Sequence, residues 1–184
     1  CIIKPTLMIV GDLQFDNNKK DAVMIGGNMV RWYGGFDSFI VARTFDCPIY
    51  APSMGRKIKQ EEEMDITHLP YMNWLEWMNT LSQFSFGVHL MPTHAAGTFT
   101  LNCSYHGIPC IGYAGLDTQE ICHPNLTVKD GDITTAKKLA NKLKNDNSNP
   151  QQNKLAKRYS TARLRDILRC RLSLGHRQES SVNR

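Results

Sequence analysis

Short apolar runs alternate with helix-compatible segments along most of this chain, and Gly-rich or polar turns separate them. Apolar runs between turn signals are typical of strands buried on both faces, whereas apolar positions at three- and four-residue steps are typical of helices. The predicted strands are 6–10, 22–25, 48–51, 66–72 (with its closing turn), 88–91, 108–112 and 126–128. The predicted helices are 37–42, 74–84, 99–106, 134–143 and 154–172. This order predicts βαβ units, and therefore an α/β fold with a Rossmann-like parallel sheet and helices on both faces.

The clearest βαβ unit lies between Phe86 and Ile121, where a small-residue turn at 93–98 joins a strand to a helix. Such a unit aims this turn at the carboxyl edge of the sheet, where ligands of parallel sheets bind. The amide N–H groups at the helix start would suit a phosphate, and His94 at the mouth of the turn would donate a further hydrogen bond. These amides belong to Ala96, Gly97, Thr98 and Phe99.

The same segment resembles the nucleotide-sugar-binding part of two-domain GT-B glycosyltransferases, over roughly residues 22–145. The matching residues are His94, Gly97, Thr98 and Asn102, then Gly107-Ile108-Pro109 and Gln119-Glu120-Ile121. Families whose motif begins with a His have the same spacing as this chain between that His and the Gly that precedes a Val/Ile-Pro pair. Retaining GT-B families instead carry two Glu seven residues apart. Those positions fall on His94 and Asn102, so the chain departs from that pattern at both carboxylates.

The resemblance implies a bound nucleoside-diphosphate sugar, a UDP- or GDP-sugar, with no metal required by the sequence. Its candidate catalytic residues here are His94, Glu120 and Arg31. Arg31 would replace the cation that the family often has at the position of Asn28, although an exposed Arg stacked beside Trp32 is an equal alternative. The candidate donor-binding residues are Gly27, Asn28, Tyr71, Met72, Ala96, Gly97, Thr98, Phe99, Asn102 and Gln119.

Individual roles follow from the same resemblance. Tyr71 and Met72 would lie near the nucleobase, and Asn102 would hydrogen-bond the ribose hydroxyls. Glu120 would contact the donor sugar or ribose, or else serve only as a favourable charge at a helix N-terminus. His94 has the alternative of a helix cap or a buried histidine with one satisfied hydrogen bond.

The implied function is transfer of a sugar from a nucleoside diphosphate to an acceptor, with leaving-group stabilisation as the share of this domain. A complete GT-B enzyme has two domains of this size, so 184 residues correspond to about half of one. We expect an N-terminal acceptor domain outside this chain to supply any catalytic base, and the isolated chain to be weak or inactive. The alternatives are an inactive nucleotide-binding module, a GT-B-fold sugar-nucleotide epimerase and a sugar-nucleotide hydrolase. A Cys-His hydrolase is disfavoured because Cys103 and His106 share one predicted helix.

Charge divides the chain unevenly. Residues 137–184 hold thirteen Lys and Arg against three acidic residues, whereas residues 1–136 hold nine against fourteen. We expect a donor-binding domain at 1–145, a linker with a basic helix at 146–172 and a disordered tail at 173–184. A solvated helix face is the simplest interpretation of the basic end. Peripheral contact with an anionic membrane is an alternative, and nucleic acid is an unlikely partner.

The compartment is indicated by the cysteines, which number six and form no Cys-x-x-Cys pair. Scattered free thiols favour a reducing compartment, so we expect a cytoplasmic protein. Two glycosylation sequons, at Asn102 and Asn125, would matter only in a secreted protein. The chain also has no apolar run of 18 residues, so no membrane span is expected.

Overall fold

The computed structural model describes residues 19–52, 58–93 and 97–147. The strands are β1 Lys20–Ile25, β2 Ile49–Ala51, β3 Thr67–His68, β4 Phe84–His89, β5 Cys110–Tyr113 and β6 Thr127–Val128. The α-helices are α1 Gly35–Ala42, α2 Trp74–Leu81, α3 Thr98–Tyr105, α4 Asp117–Cys122 and α5 Ile133–Asn147. All six strands pair in parallel, which confirms the predicted α/β fold. The predicted strand 6–10, helix 154–172 and tail 173–184 lie outside the described residues.

The strand order is β3-β2-β1-β4-β5-β6, the order of a doubly wound sheet. The chain first moves from β1 outward to β3 and then returns to add β4 on the other side of β1. Between β1 and β4 the direction of winding reverses, and the loops after these two strands border the position that we call the crevice. Ligands of this sheet architecture bind at that point, which is where the two glycine-containing turns of the sequence begin.

Helices cover both faces of the sheet because successive residues of each strand point to opposite sides. Val23 and Ile25 of β1 pack in a core cluster with Val41 of α1 and Ala136 and Ala140 of α5. On the other face, β1 contributes a second cluster with residues of α2 and α3. The members of β1, α2 and α3 in that cluster are Ala22, Met24, Leu81, Phe99 and Cys103.

The second helix is shorter than the sequence predicted. Asn73 caps α2 as expected, since its side chain accepts from the Glu76 amide at 3.0 Å and the Glu76 carboxylate accepts from the Asn73 amide at 2.9 Å. The helix nevertheless ends at Leu81, and Phe84 begins β4 instead of extending the helix. Phe84 continues the three-residue spacing of Met78 and Leu81, so helical periodicity hid a strand start that its pairing with β1 decides.

Other boundaries differ by a few residues. β5 begins at Cys110, two residues after the predicted start. The predicted strand at 66–72 is reduced to the two residues of β3. The helix predicted at 134–143 extends to Asn147 and so enters the polar stretch that was expected to be a linker. Lys144 in this last part of α5 forms an ion pair with Asp46, which contributes a tertiary contact to helix residues of weak apolar periodicity.

Candidate functional site

Two loops meet at the carboxyl edge between β1 and β4. The amide of Gly26, just past β1, donates to the Val88 carbonyl of β4 at 2.8 Å. Past β4, the Leu90 amide donates to the hydroxyl oxygen of Ser38 in α1 at 2.9 Å, which holds this loop against α1. Three residues further on, the Thr93 hydroxyl donates to the Trp32 carbonyl at 2.7 Å, which joins the second loop directly to the first. The crevice therefore has walls held in place by hydrogen bonds between loops.

The start of α1 fits between these two loops only because it is a pair of glycines. A Cβ at Gly34 would lie 1.7 Å from the Leu90 carbonyl oxygen, and Gly34 has φ of +63°. A Cβ at Gly35 would lie 2.2 Å from the Asn28 carbonyl oxygen. Side chains at either position would push the loops apart, so Gly34-Gly35 sets the separation of the crevice walls.

Two buried threonines, Thr100 of α3 and Thr118 of α4, hold the turn before α3 by hydrogen bonds. The Thr118 hydroxyl donates to the Gly97 carbonyl at 3.0 Å. The single Thr100 hydroxyl hydrogen has two acceptors in reach, the Gly97 carbonyl and the Thr118 hydroxyl oxygen, each at 2.8 Å. A Cβ at Gly97 would lie 2.2 Å from the Thr118 hydroxyl, so α4 approaches this turn closely. Among the described residues no side chain caps the first turn of α3, which includes Thr98 and Phe99. Helix N-termini of this kind suit anions because their N–H groups carry partial positive charge.

The loop after β1 carries three of the predicted site residues. Gly27 has φ of +80° and lies against Tyr33, so the turn there depends on glycine. Asn28 is buried, and its side-chain oxygen accepts from the Val30 amide at 3.3 Å. Arg31 is exposed and begins the 3-10 helix Arg31–Tyr33. Only Arg31 of these three presents its side chain to solvent, so the other two would serve a ligand through the backbone.

Tyr71 and Met72 lie between β3 and α2, in the segment that precedes the Asn73 cap. Tyr71 is 86% exposed, so its ring is free to contact a ligand. Met72 is partly buried, and its sulfur accepts from the Thr80 hydroxyl at 3.3 Å. Their predicted position near a nucleobase stays a prediction.

Asn102 lies inside the packed face of α3 and is only 3% exposed. In the amide orientation that satisfies both of its groups, it donates to the Thr98 carbonyl at 3.1 Å and accepts from the Trp77 indole N–H at 3.2 Å. The Trp77 bond joins α3 to α2, and the Thr98 bond lies within α3. A ribose contact by Asn102 stays a prediction.

Gln119 and Glu120 are neighbours in sequence but have opposite environments. Gln119 is fully buried, and its amide N–H group donates to the Cys110 carbonyl at 3.0 Å and the Leu126 carbonyl at 3.3 Å. It therefore ties α4 to the sheet. Glu120 is exposed, and one carboxylate oxygen accepts from the Gly115 amide at 2.8 Å. The burial of Gln119 disfavours direct contact with a nucleotide-sugar donor, whereas the Glu120 carboxylate is accessible to a ligand.

His94 and Ala96 lie outside the described residues, so their predicted roles stay predictions. Their described neighbours, Thr93 and Gly97, both lie at the carboxyl edge of the sheet, after β4 and before α3.

A different histidine, which the sequence did not single out, lies beneath the site. His89 ends β4 and is 5% exposed, with its ring edge-on to Phe99 at 5.4 Å between centroids. A Cβ at Gly26 would lie 2.7 Å from this ring, so the imidazole fills the space under the loop after β1. Its Nδ1 has no hydrogen-bond partner among the described residues, and burial lowers the pKa of His89 to about 4. Strand alternation in β4 is the signal that places His89 on the face of the sheet opposite Val88, toward Phe99.

The described residues contain no group of three or more His, Cys, Asp or Glu side chains that could hold a metal ion. None of the described helices combines the length and apolar character that crossing a membrane requires.

Comparison with protein-family models and with the sequences of curated proteins gave no match. Comparison with solved structures gave many. WaaG, a glycosyltransferase of lipopolysaccharide biosynthesis, superposes with a TM-score of 0.62 at 10% identity, over 80% of this chain and 43% of its own. HepE from Anabaena, solved in complex with UDP-glucose, gives a TM-score of 0.58 at 12% identity over 79% of this chain and 43% of its own. The C-terminal domain of LpcC from Francisella tularensis gives 0.60 at 13% identity, over 80% of this chain and 86% of that domain.

These neighbours are GT-B glycosyltransferases, so the resemblance in fold is confirmed. The chain spans less than half the length of WaaG and HepE but most of the isolated LpcC domain. It therefore has the fold of one domain of a GT-B architecture.

Proposed function

We propose that this chain is the donor-binding half of a glycosyltransferase and that it binds a nucleoside-diphosphate sugar at the crevice between β1 and β4. The observation that carries the proposal is the meeting of the loops after β1 and β4 at the switch point of the sheet. There an uncapped helix start and the exposed Arg31 lie on connected loops. A neighbour of the same fold, HepE, was solved with UDP-glucose, which supports the same class of ligand here.

The chemistry follows from charge. As the glycosidic bond to the diphosphate breaks, negative charge grows on the leaving group, and preorganised donors aimed at it lower the barrier. The amides at the start of α3 and the Arg31 guanidinium are donors of this type, and His94 would add a third. Glu120 is an accessible carboxylate that would accept from hydroxyls of the sugar or ribose. The catalytic base would come from the acceptor domain, so the chain alone would bind its donor with little turnover.

The binding step is tested by calorimetry on the 184-residue chain with UDP, GDP, ADP and their sugars. Arg31→Ala should weaken binding of the diphosphate by roughly 10- to 150-fold, since a hydrogen bond to a charged group contributes about 1.5–3 kcal/mol. The matched control is Arg43→Ala. Arg43 is also exposed but follows the other end of α1, on the side from which the chain enters β2.

The proposal would be contradicted if the chain bound none of these nucleotides. An equal loss of affinity in both arginine variants would mean that Arg31 is not part of the site. A second function is favoured by one observation. Because Asn102 replaces a carboxylate and is bonded to Trp77 and Thr98, an inactive nucleotide-binding module is the alternative. Product analysis with the complete protein decides between them: sugar transfer supports the enzyme, and binding without transfer supports the module.

A further inference from the structure

His89, at the end of β4, is a polar side chain in a position that an apolar one could fill. It is 5% exposed and lies between the buried apolar residues Val88 and Leu90 in sequence. Neither ring nitrogen has a hydrogen-bond partner among the described residues, and Nδ1 is fully enclosed. A phenylalanine would pack there without an unpaired polar atom, so the histidine lowers the stability of the free chain. A buried polar group of this kind indicates a role beyond packing.

The imidazole lies between the two elements that carry the proposed diphosphate site. A Cβ at Gly26, in the loop after β1, would lie 2.7 Å from the imidazole Cγ and Cδ2 atoms and 2.7 Å from the Phe99 ring. Phe99 belongs to the first turn of α3, which no described side chain caps, and it meets the imidazole edge-on. His89 is therefore at the carboxyl edge of the sheet, beside both the glycine loop and the helix start.

The enclosed Nδ1 decides which ring nitrogen carries the proton. Burial lowers the pKa of His89 to about 4, so near neutral pH the ring is uncharged and has a single N–H group. A proton on Nδ1 would enclose a donor that has no acceptor among the described residues, which is costly. Nε2 is the ring nitrogen that is not fully enclosed, so an Nε2–H group stays open to water or to a ligand.

We propose that the Nε2–H group of His89 donates a hydrogen bond to the diphosphate of the nucleotide sugar, an inference that rests on the function proposed above and adds a residue to that site. Phosphate oxygens are strong acceptors and match an N–H donor. With the amides at the start of α3, the imidazole supplies a fixed donor where negative charge grows during transfer. A neutral imidazole does so without the desolvation cost of a buried cation.

The test compares two substitutions of His89 in the 184-residue chain. His89→Phe keeps an aromatic ring against Gly26 and Phe99, whereas the amide N–H group of His89→Gln can take the place of Nε2–H. Calorimetry with UDP, inorganic pyrophosphate and uridine separates the phosphate contribution from that of the nucleoside. We expect His89→Phe to lower the affinity for UDP and pyrophosphate about tenfold or more and to leave uridine binding unchanged. His89→Gln should keep most of the affinity.

Stability separates this role from a packing role. The melting temperature of His89→Phe without ligand should equal or exceed that of the unsubstituted chain, because the unpaired polar atom is removed. The matched control is His106→Phe. His106 is also buried but follows the opposite end of α3, so its substitution should leave the affinity of the folded chain for UDP unchanged. The inference would be overturned if His89→Phe bound UDP and pyrophosphate normally, or if it lost affinity for uridine by the same factor.

A second measurement does not depend on whether either variant folds. In a chain with isotope-labelled histidine, the nitrogen chemical shifts of His89 report which ring nitrogen is protonated and whether Nε2–H is hydrogen-bonded. We expect saturating UDP or pyrophosphate to shift the Nε2 signal while the proton stays on Nε2. An unchanged Nε2 signal at saturation would overturn the inference, although nucleotide binding would stand.

Failure of the proposed function is a different outcome. If neither UDP nor GDP binds, the nucleotide site is contradicted, and the titration with pyrophosphate alone then decides the role of His89. A shift of the Nε2 signal with pyrophosphate would support a diphosphate contact at His89, and no shift would overturn it.

Discussion

At the scale of single residues, the site depends on where a side chain is missing as much as on where one is present. Gly34 combines a left-handed backbone with a 1.7 Å approach of its missing Cβ to the Leu90 carbonyl. Gly131 has a similar φ of +75° but no atom within 4 Å of the Cβ position. The two glycines therefore separate the cost of backbone conformation from the cost of a steric clash.

Gly131→Ala should lower the free energy of unfolding by about 1–2 kcal/mol, the cost of a left-handed conformation in an L-residue. Gly34→Ala should cost several kcal/mol, because α1 and the loop after β4 must also separate. Urea denaturation of both variants measures the difference. Equal losses would mean that the Leu90 loop moves aside freely, and the crevice walls would then not be held by this contact.

At the scale of elements, the turn before α3 is positioned by α4, which lies later in the chain. Thr118 on α4 is 1% exposed and donates to the carbonyl of Gly97, the residue immediately before α3. The sequence signal for α3 is local, but the support of its first turn comes from a residue more than twenty positions away. Packing of α4 against α3 therefore decides how the amides of this turn are presented.

Thr118→Val keeps the size of the side chain and removes both hydrogen bonds of its hydroxyl. We expect a loss of about 1–3 kcal/mol in the free energy of unfolding, because the buried bond from the Thr118 hydroxyl to the Gly97 carbonyl is lost and Thr100 keeps only the Gly97 carbonyl as an acceptor. Thr134→Val, at an exposed position of α5, is the control and should change stability by less than about 0.5 kcal/mol. Thermal unfolding of the two variants measures the difference. Equal losses of stability would show that the contact between α3 and α4 does not depend on this hydroxyl.

At the scale of the whole molecule, three histidines in the described part of the chain are buried, and burial favours their neutral form. Burial lowers the pKa of His89, His106 and His123 to about 4, and Lys19 adds to the shift at His106. The unfolded chain binds protons at these positions below about pH 6.5, whereas the folded chain binds them only near pH 4. The unfolded state therefore gains protons first as the pH falls, and the fold loses stability over that range.

The melting temperature should accordingly fall between about pH 6.5 and pH 4, with each histidine contributing up to about 1.4 kcal/mol per pH unit. His123→Gln should flatten this dependence, since the glutamine amide would replace the bond of Nε2 to the Thr100 carbonyl without taking up a proton. Thermal unfolding at a series of pH values measures both slopes. A melting temperature that stays constant from pH 7 to pH 5 would show that these histidines are reached by protons in the folded state.

The sequence by itself determined the parallel sheet and most of the order of elements, although it did not predict α4 at Asp117–Cys122. It also predicted the candidate site at the carboxyl edge of the sheet. These follow from local patterns: buried strands read as short apolar runs, and βαβ connections constrain the sheet they form. The Asn73 cap could also be predicted from the sequence, because its two hydrogen bonds join residues three positions apart.

Only the tertiary structure decided which candidate site residues are exposed and which face the core. Asn102 and Gln119 carry the polar atoms expected of ligand-binding residues, yet both are buried. Asn102 accepts from Trp77, and the Gln119 NH2 group donates to the Cys110 and Leu126 carbonyls. Those partners are on other elements, so no local sequence pattern predicts them. The same holds for the start of β4 at Phe84, where helical spacing continued and strand pairing decided. Local propensity and periodicity act within one element, whereas burial and hydrogen bonding depend on how distant elements pack.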